Sequence, residues 1–147
     1  MYYLGSDHGG FRLKKKIVLL LREKEIMVRD VGASEYKTDD DYVDFGLEVA
    51  KKVVADGARG ILICRSGVGM SIVANKVRGV RAGMCFCPKQ TRLAVEDNNI
   101  NVLCLSADLV DEEENMEIVK SFVNSIFVAE ERHIRRINKI KEYESTK

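Results

Sequence analysis

Proline occurs once in the 147 residues, at Pro88, so no proline-rich linker divides the chain. Low-complexity tracts and internal repeats are absent too. The longest aliphatic run, Ile17 to Leu21, falls far short of the ~20 residues that a membrane span needs. Neither charge is in excess. Twenty-four Lys plus Arg stand against 23 Asp plus Glu, a formal net charge of +1, which argues against a protein that coats nucleic acid or anionic membrane. Histidine is scarce, at His8 and His133 only. Cys85-x-Cys87 would share one face of a strand, but no second cysteine pair or nearby histidine completes a zinc set, so no metal site is expected. No charged-then-apolar leader opens the chain. The expectation is a cytoplasmic protein in which Cys64, Cys85, Cys87 and Cys104 are free thiols.

What remains is the balance of one globular domain, 46% hydrophobic and 32% charged. A chain this long buries roughly 68–70% of its unfolded surface and needs no staple. Short β-type runs alternate with longer helical ones. Strands are expected over 2–6, 26–31, 60–64, 80–86 and 101–105. Helices are expected over 11–24, 42–54, 70–77, 89–97, 111–127 and 130–143. The polar, acidic stretch 32–41 is expected as a loop reaching over a site. Gly60 to Cys64 is almost continuously apolar, as in a strand covered on both faces. The pattern predicts a doubly wound, three-layer α/β/α sandwich on a five-stranded parallel, Rossmann-like sheet, a single domain over 1–147.

Such sheets bind ligands beyond the carboxyl ends of their strands. Asp7 and His8 follow the first strand and Cys64 to Gly69 the third, so both groups fall on that edge. Asp97 and Asn98 precede the fifth strand and reach it only if the helix–strand turn bends that way. The loop Ser66-Gly67-Val68-Gly69-Met70-Ser71 offers consecutive N–H groups to phosphate, carboxylate or enolate oxygens. A plain βα turn that uses glycine for its positive φ is the alternative. It is neither a Walker loop nor a dinucleotide fingerprint. At Cys64, the neighbouring Arg65 and the helix start favour a thiolate; a small core residue ending a strand fits the position equally. Asp7 beside His8 suits helix capping as well as a polar site. Arg132 and Arg136 share a helix face, able to close on one phosphate or simply to meet solvent.

Together the segments resemble the ribose-5-phosphate isomerase B / galactose-6-phosphate isomerase family. They are Ser6-Asp7-His8-Gly9-Gly10-Phe11, the run Ile63 to Lys76, Gly79-Val80-Arg81-Ala82, Asn98 to Leu103 and Arg132 to Ile137. The resemblance implies cofactor-free aldose–ketose isomerisation of a sugar phosphate through a cis-enediolate. It implies Cys64 as the base and the N–H groups of Gly67, Val68, Gly69, Met70 and Ser71 as the enediolate's cradle. Ser66, where the family usually has Thr, would serve the ring oxygen, and Asp7 the sugar hydroxyls and ring opening. His8, Arg132 and Arg136 would hold the phosphate, Asn98 a sugar oxygen, and Tyr42 would line the pocket. The resemblance also implies a homodimer or dimer of dimers, with the site at the subunit interface and the C-terminal helix, about 129–145, on the partner.

Three positions depart from the family. Asp97 stands where a ring-opening His is usual, Arg65 where Gly follows the catalytic Cys, and Asp41-Tyr42-Val43-Asp44 in the loop where a Pro is usual. Arg65 is expected either to crowd the pocket or to add a phosphate or carboxylate contact. Ribose 5-phosphate is the expected substrate. A hexose 6-phosphate such as allose or galactose 6-phosphate, or a sugar-phosphate-binding role with reduced activity, are the alternatives.

Overall fold

The computed structural model describes residues 1–146. Five strands, β1 (Tyr2–Ser6), β2 (Val28–Asp30), β3 (Arg59–Cys64), β4 (Ala82–Met84) and β5 (Val102–Ser106), form one parallel sheet in the order β2-β1-β3-β5-β4. Six helices connect or follow them: α1 (Phe11–Glu23), α2 (Tyr42–Asp56), α3 (Val68–Ala74), α4 (Pro88–Asn98), α5 (Glu112–Asn124) and α6 (Glu131–Ser145). The expected three-layer sandwich is the observed one. No helix among the described residues is long and apolar enough to cross a membrane.

The two faces of β3 sort the core. Ile61 and Ile63 point toward the layer of α1, α4 and α5, with Ile17, Leu21, Ile118 and Phe122. Leu62 and Cys64 point toward α2 and α3, with Val49, Val53, Met70 and Ala74. This period of two aims the Cys64 side chain at the start of α3 rather than at α1.

Several element limits differ from the sequence expectation, each for a local reason. Gly67, at φ +79°, reverses the chain directly after the strand, so α3 begins at Val68 rather than Met70. It stops at Ala74 because the Asn75 side chain bonds both the N–H and the carbonyl of Ala82. At the sheet edge, β4 covers only Ala82–Met84, so Cys85 lies past the strand and Cys87 caps α4; the two do not share a strand face. Ser125 is extended, which ends α5 at Asn124 instead of Phe127. All four cysteines are free. Asp41 caps α2, its carboxylate accepting from the Val43 N–H at 3.0 Å, a contact of about 1 kcal/mol.

Candidate active site

Strand order reverses at β1 and β3, and a crevice opens between their carboxyl ends. From β1, the chain turns at Asp7, whose Oδ1 accepts from the Gly10 N–H at 3.2 Å. Gly10 seats this turn on β3: a Cβ there would meet the Ile63 carbonyl oxygen at 2.6 Å. Asp7 is 7% exposed, and that burial raises its carboxyl above the ordinary value. Asp40 pushes the same way, against the lowering effects of the Gly10 N–H and His8.

From β3 comes Cys64, buried, its Sγ accepting from the Gly67 N–H at 3.2 Å. Burial pushes the Cys85 and Cys104 thiols up and keeps them protonated in the core. In the following turn the Val68 N–H faces Ser66 Oγ at 3.4 Å, and the Ser71 N–H is spent on the Gly67 carbonyl at 3.1 Å. Of the five N–H groups assigned from the sequence, those of Gly69 and Met70 therefore remain open to a ligand among the described residues. The Tyr42 ring lies flat against this turn, since a Cβ on Gly69 would meet its Cε2 and Cζ at 2.7 Å.

Segment 32–41 does fold over the crevice, as its composition suggests. Lys14, 1% exposed, anchors it by donating to Asp30 Oδ1 (2.7 Å) and the Ala33 carbonyl (2.6 Å). Tyr36 sits edge-on to His8 and packs on Phe11. Asp40 lies 2.7 Å from His8 Nδ1 and accepts from the His8 N–H at 3.0 Å. Neither Lys14 nor Asp40 was singled out in the sequence. Asp7, His8 and Asp40 offer ligand atoms within 4.8 Å of one another, but Asp40 and the Gly10 N–H already engage His8 Nδ1 and Asp7 Oδ1.

The other four sequence-derived residues form a second group. Asp97 and Asn98 end α4, which leads through Asn99 in the left-handed region to Asn101, whose carbonyl bonds Gly60 at the amino end of β3. That point is four residues from Cys64, about 13 Å along the strand. His133 draws α6 to the same place. It is 3% exposed, donates Nδ1–H to the Val128 carbonyl at 2.9 Å, and holds Nε2 3.7 Å from Asp97 Oδ1. Exposed Arg132 and Arg136 flank it. One chain thus carries Asp7, His8, Tyr42 and Cys64 to Ser71 in one cluster, and Asp97, Asn98, Arg132 and Arg136 in another.

Residues 2–140 match the model of the Ribose/Galactose Isomerase family. A probable ribose-5-phosphate isomerase B of Mycoplasma genitalium is 44% identical over 144 residues, covering 97% of this chain and 94% of that protein. The ribose-5-phosphate isomerase B of Mycobacterium tuberculosis is 38% identical over 98% of this chain and 90% of its own. The crystal structure of the Mycoplasma genitalium enzyme with bound ribulose-5-phosphate superposes at a TM-score of 0.96, with 42% identity over 99% of this chain and 97% of that one. The match spans both residue clusters and the sheet that carries them, and the chain belongs to the ribose/galactose isomerase family.

Proposed function

We propose that this protein interconverts ribose 5-phosphate and ribulose 5-phosphate, the whole chain acting as one cytoplasmic isomerase domain. The observation that carries the reading is Cys64, held at the switch-point crevice beside two open N–H groups, with the Asp7–His8 turn leaving the end of the neighbouring strand β1. The similarity to a structure described with bound ribulose-5-phosphate supports the substrate class.

In ring opening, the anomeric hydroxyl loses its proton to Asp97 while the ring oxygen gains one through the Ser66 hydroxyl, the proton held by Asp97 returning through solvent to Ser66, with Asp7 holding the sugar hydroxyls. In the open aldose, Cys64 thiolate takes the C2 proton. The resulting negative oxygen is held by the Gly69 and Met70 N–H groups, fixed dipoles that need no reorganisation as charge develops. The thiol returns the proton to C1 while the O2 proton passes to O1, so the two sugars exchange with no atom gained or lost. His8 binds the phosphate.

A second copy supplies Asp97, Asn98, Arg132 and Arg136 to this crevice. The separation of the two clusters within one chain supports that arrangement. So do the 42% and 47% exposures of Ile134 and Ile140 on α6, and a cavity of about 560 Å³ walled by Ile140, Arg81 and Met84. The deciding experiment is steady-state conversion of ribose 5-phosphate by the wild-type protein beside Cys64→Ala. Activity that collapses in the variant supports the reading. Activity on hexose 6-phosphates alone moves the substrate, and inactivity with retained sugar-phosphate binding overturns the isomerase.

A further inference from the structure

Arg65 is the residue the family resemblance least prepares for, and its surroundings give it a task. A cavity of about 270 Å³ opens beside the crevice, lined by His8, Gly9, Arg12, Tyr36, Arg65 and Asp108. Three of these are cationic or can become so, against one carboxylate. The absence of a side chain at Gly9 creates the space: a Cβ there would meet Arg65 Cγ at 2.6 Å, so the arginine stem lies over Gly9. That directs the guanidinium along the His8 turn instead of across the Cys64 thiol. The Arg65 backbone is clamped, its carbonyl accepting from Ser106 Oγ at 2.7 Å and from the Asp108 N–H at 3.0 Å.

The side chain itself is loosely held. Its single ion pair among the described residues, Nη1 to Asp108 Oδ2, spans 3.5 Å between groups 66% and 49% exposed, a pair that solvent screens strongly. Arg12, on the first turn of α1 and four residues after His8, reaches the same cavity. Two guanidinium forks and an imidazole around one small polar space match the oxygens of a phosphate monoester.

We propose that Arg65, with Arg12, is a same-chain phosphate ligand, exchanging Asp108 for the sugar's phosphate when substrate binds beside His8. The inference deepens the proposed function and rests on its placing the phosphate at His8. Asp108 then acts as a competitor that parks the guanidinium in the free protein.

The test is calorimetric titration with inorganic phosphate, run beside ribose 5-phosphate kinetics. Arg65→Gly is expected to weaken phosphate binding and to raise KM about tenfold, with kcat nearly unchanged. Arg65→Lys falls between, keeping the charge but losing the fork. Asp108→Asn tightens phosphate binding in the wild-type background and has no effect on top of Arg65→Gly. Equal phosphate affinity in wild type and Arg65→Gly, or an Asp108→Asn gain that persists without Arg65, overturns the inference. Because phosphate binding is read without turnover, a wild-type protein inactive on ribose 5-phosphate sinks the isomerase reading while this assignment stands or falls separately.

Discussion

Asp40 holds His8 twice, once at the ring and once at the backbone. Its Oδ1 lies 2.7 Å from His8 Nδ1 and accepts from the His8 N–H at 3.0 Å, across 32 residues of sequence. A carboxylate can only accept, so Nδ1 carries the proton and Nε2 is the nitrogen left for a ligand. Asp40→Ala frees the ring and removes that bias. The expected result is a rise of about tenfold in KM for the sugar phosphate with kcat largely kept. An unchanged KM would show that His8 orientation does not matter to binding.

Cys64 differs from the other buried thiols in what surrounds it. Cys104 lies deeper in the same core layer, whereas Cys64 ends its strand at the crevice and receives the Gly67 N–H. Cys64→Ala removes the proposed base and leaves the proposed binding groups, so kcat is expected to fall by about 10²–10⁴-fold while phosphate affinity stays. Cys64→Ser, similar in size, gives the same loss and a nearly unchanged melting temperature. Steady-state kinetics beside thermal melts separate the chemical loss from a packing loss.

How much of this was legible in the sequence depends on how local each signal is. The Cys64–Ser71 turn announces itself because a buried strand, a glycine and a helix follow within a few residues. Asp40 gives no such sign: it is one of three consecutive aspartates, and only the folded loop shows which meets His8. Lys14 left a signal of a kind, since Phe11, Lys14, Val18 and Leu21 fall on one heptad stripe of α1, and the lysine is as buried as its companions. The direction of the α4–β5 turn was open in the sequence. Asn99 at φ +49° carries the chain to the amino edge, so Asp97 and Asn98 stay away from the Cys64 of their own chain.

Asp7 sets a pH dependence of stability whose sign follows from its burial. Its carboxyl is raised in the folded state, chiefly by desolvation, so the folded protein binds more protons than the unfolded chain across the window between the two values. The stabilisation is complete below the unfolded value and is lost as pH rises through the folded one. Asp7→Asn retains an oxygen for the Gly10 N–H and has no charge to desolvate. Denaturant titrations at several pH values are expected to show a flatter profile in the variant across that window, with stability gained at neutral pH. Activity is expected to fall in the same protein, because the group proposed to meet the sugar hydroxyls is altered. A wild-type profile with no decline across the window would contradict the burial argument.

Removing metal is expected to leave the rate unchanged. Asp7, His8 and Asp40 come within 4.8 Å of one another, yet the contacts made by His8 Nδ1 and Asp7 Oδ1 are hydrogen bonds that position the imidazole and the turn. The proposed proton transfer needs a thiolate and N–H donors, and no Lewis acid enters it. Turnover of ribose 5-phosphate before and after exhaustive EDTA treatment checks this, and a loss restored by a divalent cation would make the trio a metal centre.

The separation of the two residue clusters makes a prediction that needs two inactive proteins. If the crevice of one copy is completed by α4 and α6 of another, Cys64→Ala and Arg136→Ala damage different halves of each site. In a mixed dimer, one site then receives both lesions and the other receives neither. Random exchange of equal amounts makes half the dimers mixed, each with one intact site of two, so roughly a quarter of wild-type activity returns. Sites built within a single chain would carry one lesion each in every mixed dimer, and nothing would return. Mixing must therefore follow partial unfolding and refolding, with each variant refolded alone as the reference. A recovery that appears only in the mixture places Cys64 and Arg136 of different chains around the same substrate.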